Sequence, residues 1–151
     1  MTDQEIFTCI KDYFDSFPYN QMLGIQIEHI CTGRVDVVLP MQRTLIGNHL
    51  QNILHGGSIA SVLDVAAAAV AMINMLQRRR PANLTDFDKK IRNLATIDMR
   101  VDFLRPGTGS RFLATASILR QGSKLGVVRA DLRNEEGQII AAGTLTYWVG
   151  E

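Results

Sequence analysis

The stretch Leu54 to Asp64, Leu-His-Gly-Gly-Ser-Ile-Ala-Ser-Val-Leu-Asp, puts a histidine, two glycines and one acid at the head of an apolar run. From Gly56 through Gln77, Asp64 is the only charged residue. An ionised carboxylate left unpaired in an apolar helix is costly, so this one needs a partner, a metal or a chemical role. Gly56 and Gly57 allow close backbone approach. They fall where a helix start leaves N–H groups that favour negative charge. Free amides followed two turns later by an acid supply what acyl transfer needs: donors for a developing oxyanion and a group to handle water. Helical spacing also puts Gly57, Ser61 and Asp64 on one face.

The element that must carry these residues is a long helix from about Gly57 to Arg79. Pro81 stops it, and Arg78-Arg79-Arg80 suits its negative C-terminal end. Ile59 to Leu76 is almost continuously apolar and near the length of a membrane span. It nevertheless holds Ser61, Asp64, Asn74 and six alanines, and four strand-like segments follow that can wrap it. The expectation is a buried core helix rather than a membrane span.

Upstream, Asp3 to Ser16 reads as an amphipathic helix, with Ile6, Ile10 and Phe14 at a spacing of four, ended by Pro18 and Tyr19-Asn20. Met22 to Gly24 reads as a short turn. Ile25 to Ile30 and Arg34 to Leu39 read as strands joined by Cys31-Thr32-Gly33. Met41 to Leu54 has no clear period and reads as a loop. Downstream, Thr85 and Asp88 resemble a capping box opening a short helix through Arg92. Strands follow over Ala95 to Leu104, Arg111 to Arg120, Lys124 to Arg133 and Gln138 to Val149, joined by short links that suit antiparallel neighbours. In the first of these, Ile97, Met99, Val101 and Phe103 alternate with Thr96, Asp98, Arg100 and Asp102. The plan is α+β, with a curved antiparallel sheet around one helix, and a single domain over 1–151 whose first 20 residues form an N-terminal helical segment.

Composition narrows the function. The 151 residues carry a net charge of +1, which gives no general reason to expect a nucleic acid or an anionic membrane as partner. Cys9 and Cys31 have no metal-binding spacing and fit a reducing, cytoplasmic setting. The polar start Met-Thr-Asp-Gln-Glu does not read as a signal peptide. The three His and two Cys form no plausible metal set. No Gly-rich phosphate loop is present.

The residues that point to a family are His55-Gly56-Gly57, Asp64 nine positions after the His, and the run from Thr96 to Pro106. With the order of elements, they resemble the hot-dog-fold acyl-CoA thioesterases of the PaaI-like family. Asn-His-Leu-Gln-Asn-Ile-Leu before the His-Gly-Gly, and Asn134-Glu135-Glu136, look closest to its YigI subgroup. The resemblance covers the chain from about Gly24. It implies hydrolysis of medium- or long-chain acyl-CoA to free acid and CoA, without a cofactor, by a homodimer or a tetramer built as a dimer of dimers.

The resemblance also implies roles. Asp64 activates water or attacks the thioester directly, acting across a dimer interface. The Gly56 amide polarises the thioester carbonyl, and Gly57 lets the helix begin close to the substrate. His55 fixes the turn by hydrogen bonding rather than acting as a base, since no Ser or Cys nucleophile is placed beside it. Family members often carry Asn or Gln six residues before the His. Here that position is His49, so Asn48, one further back, is the candidate, with Gln51 or His49 as substitutes. Thr96 is the candidate for positioning water, because Ala68 stands where some members place a hydroxyl. Arg105, Lys124 and Arg78–Arg80 are candidates for the CoA phosphates. Three alternatives stay open: an aryl- or phenylacetyl-CoA thioesterase, a dehydratase or hydratase on the same fold, and a non-catalytic acyl-CoA binder.

Overall fold

The first helix, α1 (Asp3–Asp15), opens on a capping box: Thr2 accepts from the Glu5 amide while the Glu5 carboxylate accepts from the Thr2 amide. Its buried stripe is Ile6, Ile10 and Phe14, the spacing-of-four set, and it packs against the central helix. The computed structural model describes residues 1–150.

Pro18 begins an element rather than only ending one. It occupies the first turn of a second helix, α2 (Pro18–Leu23), where its fixed φ suits the helix and its missing N–H costs nothing. Gly24 closes α2 in the left-handed region at φ 74°. The expected turn at Met22 to Gly24 is therefore the end of this helix.

Two strands follow, β1 (Gln26–Cys31) and β2 (Arg34–Pro40). The segment read as a plain loop contains a 3-10 turn at Arg43–Leu45 and a small hairpin of β3 (Ile46–Asn48) and β4 (Ile53–Leu54). Its pairs are too few to leave a period in the sequence. The central helix α3 runs Gly56–Arg78, and a short helix α4 covers Leu84–Ile91. The cap of α4 is Asn83, whose side chain accepts from the Asp86 amide at 3.0 Å, and not Thr85 with Asp88. Asx residues serve N-caps at least as well as Thr, so Asn83 wins the position.

The last four strands are β5 (Ala95–Phe103), β6 (Arg111–Gln121), β7 (Leu125–Asn134) and β8 (Ile139–Trp148). With β1 and β2 they form a six-stranded antiparallel sheet in the order β1-β2-β6-β7-β8-β5. The sheet wraps α3, which packs on β2, β5, β6, β7 and β8. This is the α+β hot-dog arrangement expected from the sequence. The α3 helix is long and apolar enough to cross a membrane, but 78% of its most apolar stretch is buried inside the fold. Its alanines let the sheet approach closely; Ala66, Ala67, Ala69 and Ala71 are fully buried.

One strand departs from simple alternation. A bulge between Thr96 and Asp98 shifts the register of β5 on β8, so Ile97 drops out of the pairing and stays 54% exposed. The extra residue lets Thr96 and Met99 line one cavity together. Strict alternation would have separated them.

Candidate active site

His55 is the N-cap of α3. Its backbone is extended at φ −63° and ψ 137°, and its Nδ1 accepts from the Gly57 amide at 2.8 Å. That bond assigns the ring proton to Nε2 when the imidazole is neutral. The His55 carbonyl takes the Ser58 and Ile59 amides at 3.0 and 3.1 Å, and the His55 amide is held by the Leu45 carbonyl at 2.8 Å. The first-turn donors are thus used up one by one, except the Gly56 amide, which meets no acceptor among the described residues. A free N–H at a helix start is a donor for negative charge. Gly56 also brings this amide close to Phe103: a Cβ there would lie 3.3 Å from the Phe103 ring. At Gly57 a Cβ would lie 3.0 Å from His55 Nδ1 and crowd the cap.

Two turns on, Asp64 does have partners. Its Oδ1 accepts from the Thr96 hydroxyl at 2.9 Å and from the Tyr147 hydroxyl at 2.6 Å. The same phenol lies 2.9 Å from the Asp64 main-chain oxygen. Oδ2 accepts from none of the described residues and is not among the sealed, unpaired polar atoms. Burial, then the neighbouring Asp64 charge, push the Tyr147 phenol far above its ordinary range, so it remains a donor.

Asp64 and Thr96 sit on the wall of a cavity of about 490 Å³ between α1, α2, α3 and β5. Phe14, Phe17, Val65, Met72, Leu94 and Met99 make most of it apolar. Its size is that of a small-molecule site. A hydroxyl bridge from Tyr19 to Ser61, 2.8 Å, ties α2 to α3 beside it.

The remaining candidates lie apart. Asn48 ends β3, and its Oδ1 accepts from the Leu50 amide at 3.0 Å, the local turn chemistry of an Asn. Arg105 is exposed and donates to the Ile139 carbonyl at 3.1 Å. Arg78 and Arg79 tie the C-terminal end of α3 to carbonyls of Gln121, Ser123 and Val149. Arg80 pairs with Asp3 at 2.7 Å. That end is about 33 Å from Gly56 along the helix axis. Lys124 lies 6.0 Å from the centre of the Trp148 ring. Among the described residues, no group of three or more His, Cys, Asp or Glu could hold a metal ion.

The sequence reading missed Tyr147. The signal was weak: one of three hydroxyls, with Thr144 and Thr146, in a mostly apolar last strand, whose register opposite Thr96 appears only once the sheet is paired.

An unpaired amide at the start of a buried helix, an acid two turns on and an apolar cavity beside it are features that thioester hydrolysis could use. The chain belongs to the thioesterase superfamily, whose family model matches residues 51–141. It is 44% identical over 133 residues to the medium/long-chain acyl-CoA thioesterase YigI of Escherichia coli strain K12, covering 88% of this chain and 86% of that protein. The protein of that name from Salmonella typhimurium is 43% identical with the same coverage. A crystal structure of a protein from Shewanella oneidensis related to the thioesterase superfamily superposes with a TM-score of 0.92 at 40% identity, covering 98% of this chain and 97% of that one.

Proposed function

We propose that the protein hydrolyses medium- to long-chain fatty acyl-CoA to free acid and CoA, with no cofactor, in cytoplasmic fatty acid metabolism. The observation that carries this reading is Asp64: one oxygen is held by two hydroxyls, the other is open, and an apolar cavity adjoins it. The Gly56 amide, at the start of α3, donates to the thioester oxygen as negative charge develops there. Asp64 Oδ2 either takes a proton from water, whose oxygen adds to the carbonyl carbon, or itself adds to that carbon to give a mixed anhydride that water then hydrolyses to the free acid and Asp64. The C–S bond then breaks, and CoA leaves as the thiol with the proton Asp64 took from water, or with one from solvent where Asp64 added directly. Thr96 holds the carboxylate, Gly57 keeps the helix start narrow and His55 orients that start; Asn48 and Arg105, which lie apart from the Asp64 cavity within one chain, are assigned to the substrate's polar end in the shared site.

Geometry supports a site shared between two copies. Within one chain, Gly56 and Asp64 are eight residues apart, about 12 Å along the axis. Reacting groups act from about 3 Å, so one carbonyl cannot meet both. A homodimer that brings Asp64 of one protomer to Gly56 of the other resolves this. The β5 strand is suited to that pairing: it is a sheet edge, and Ile97 and Phe103 on it are exposed. Two such dimers can form a tetramer. The chain acts as one domain over 1–151, with its N-terminal helical segment roofing the cavity.

The test is thiol release from an acyl-CoA panel, acetyl to palmitoyl plus phenylacetyl, with Asp64→Asn beside the parent. Turnover should be greatest for medium and long acyl groups and collapse in the variant. No thiol release, or a preference for phenylacetyl-CoA, contradicts the reading.

A further inference from the structure

We propose that Tyr147 is a positioning residue for the hydrolysis: with Thr96 it clamps Oδ1 of Asp64 and reserves Oδ2 as the oxygen that reacts. The inference rests on the reading of Asp64 as the reacting carboxylate.

Thr96 and Tyr147 are register partners across β5 and β8. Both hydroxyls therefore come from one cross-strand pair, and both reach the same carboxylate oxygen, at 2.9 and 2.6 Å. The β-bulge at Ile97 is the local device that lets Thr96 reach across. Tyr147 has 0% exposure, so its ring is locked in the core and its hydroxyl has no alternative position in solvent. A buried phenol needs an acceptor, and the Asp64 carbonyl at 2.9 Å would have sufficed. The shorter contact instead goes to the carboxylate.

The clamp breaks the equivalence of the two oxygens. A free carboxylate presents either oxygen and turns about its Cβ–Cγ bond. With two donors on Oδ1, rotation would cost both charge-assisted bonds, and only Oδ2 keeps its lone pairs for water or a carbonyl carbon. Orientation held before substrate arrives is not lost again during reaction. Tyr147 is fully buried and does not line the cavity beside Asp64, so its effect passes through Asp64.

That route fixes the test. Tyr147→Phe is made in the parent and in Asp64→Asn, with kcat and KM measured for the best acyl-CoA and melting temperature and dimer mass measured beside them. In the parent, loss of a hydrogen bond to a charged group should lower kcat about tenfold or more. KM should stay within about twofold, because ground-state binding is untouched. In Asp64→Asn the same change should cost nothing further. Equal losses in both backgrounds would show a purely structural tyrosine, and an unchanged parental kcat would remove the role altogether. If Asp64→Asn is itself as active as the parent, the reading of Asp64 fails first. If it is crippled while Tyr147→Phe is normal, only the clamp fails. Thr96→Val, at an exposed position, keeps the test decisive if Tyr147→Phe does not fold: full kcat contradicts the clamp, and recovery in Thr96→Ser supports it.

Discussion

The His55 Nδ1 accepts from the Gly57 amide at 2.8 Å, two residues ahead in the chain. A ring nitrogen committed to capping α3 is not the one that takes a proton from water. His55→Ala should therefore act mainly on stability, lowering it by roughly 0.5–2 kcal/mol, the cost of a lost N-cap. His55→Asn should recover most of that, since Asn caps well. Thermal melts read this directly. A fall in kcat beyond the roughly 100-fold expected for a lost base would contradict the capping role.

Gly56 allows the oxyanion donor to be removed with little damage to the fold. It is the first residue of α3, where proline is tolerated, and His55 before it already has the extended backbone proline requires. Gly56→Pro should lower kcat about 10²- to 10³-fold and leave the melting temperature near the parental value. Gly56→Ala is the control. It creates the same 3.3 Å contact with Phe103 but keeps the N–H, so it should retain most activity.

Ala68 is one turn beyond Asp64 and lines the cavity. A larger side chain there projects into empty space rather than into packed core. Ala68→Phe should cut kcat/KM for the longest acyl groups far more than for the shortest. A uniform change along the acyl-CoA panel would mean that the chain does not enter this cavity.

Glu135 governs a separate, acidic window of stability. Its carboxylate accepts from the Ser110 amide at 2.8 Å and the Ser110 hydroxyl at 2.9 Å, tying the β7–β8 turn to the start of β6. The backbone bond from Ser110 is the main reason its carboxyl is held at about 2, below the ordinary 4.5. A lowered folded value means that its contribution is complete above the ordinary value and fades as pH falls from there toward about 2. The melting-temperature advantage of the parent over Glu135→Gln should narrow across that interval. A gap that is constant with pH would contradict the assignment.

Much of this could be read without coordinates, because the strongest signals were periodic or isolated. The α3 helix follows from its uninterrupted apolar run, and Asp64 stands out as its one charge. The strands after it carry turn residues at short spacings. What escaped depended on pairing between distant segments. Thr96 follows simple alternation in the sequence, and only the bulge at Ile97 brings it into one cavity with Met99 beside Asp64. Tyr147 gains meaning only from its register opposite Thr96. The α2 helix was hidden because Pro18 reads equally as a stop and as a first turn, and a six-residue helix has too few positions to show a period.

The most direct test of the shared site uses two variants that should each be inactive alone. Gly56→Pro and Asp64→Asn chains, carrying different tags, are co-expressed, and the heterodimer is purified through both. A site that takes its amide from one protomer and its carboxylate from the other leaves one intact site and one doubly damaged site per heterodimer. Thiol release should then return to about half the parental specific activity per dimer, as two-fold symmetry requires. A heterodimer as inactive as either homodimer would contradict the account, because it would place both groups' work within a single chain.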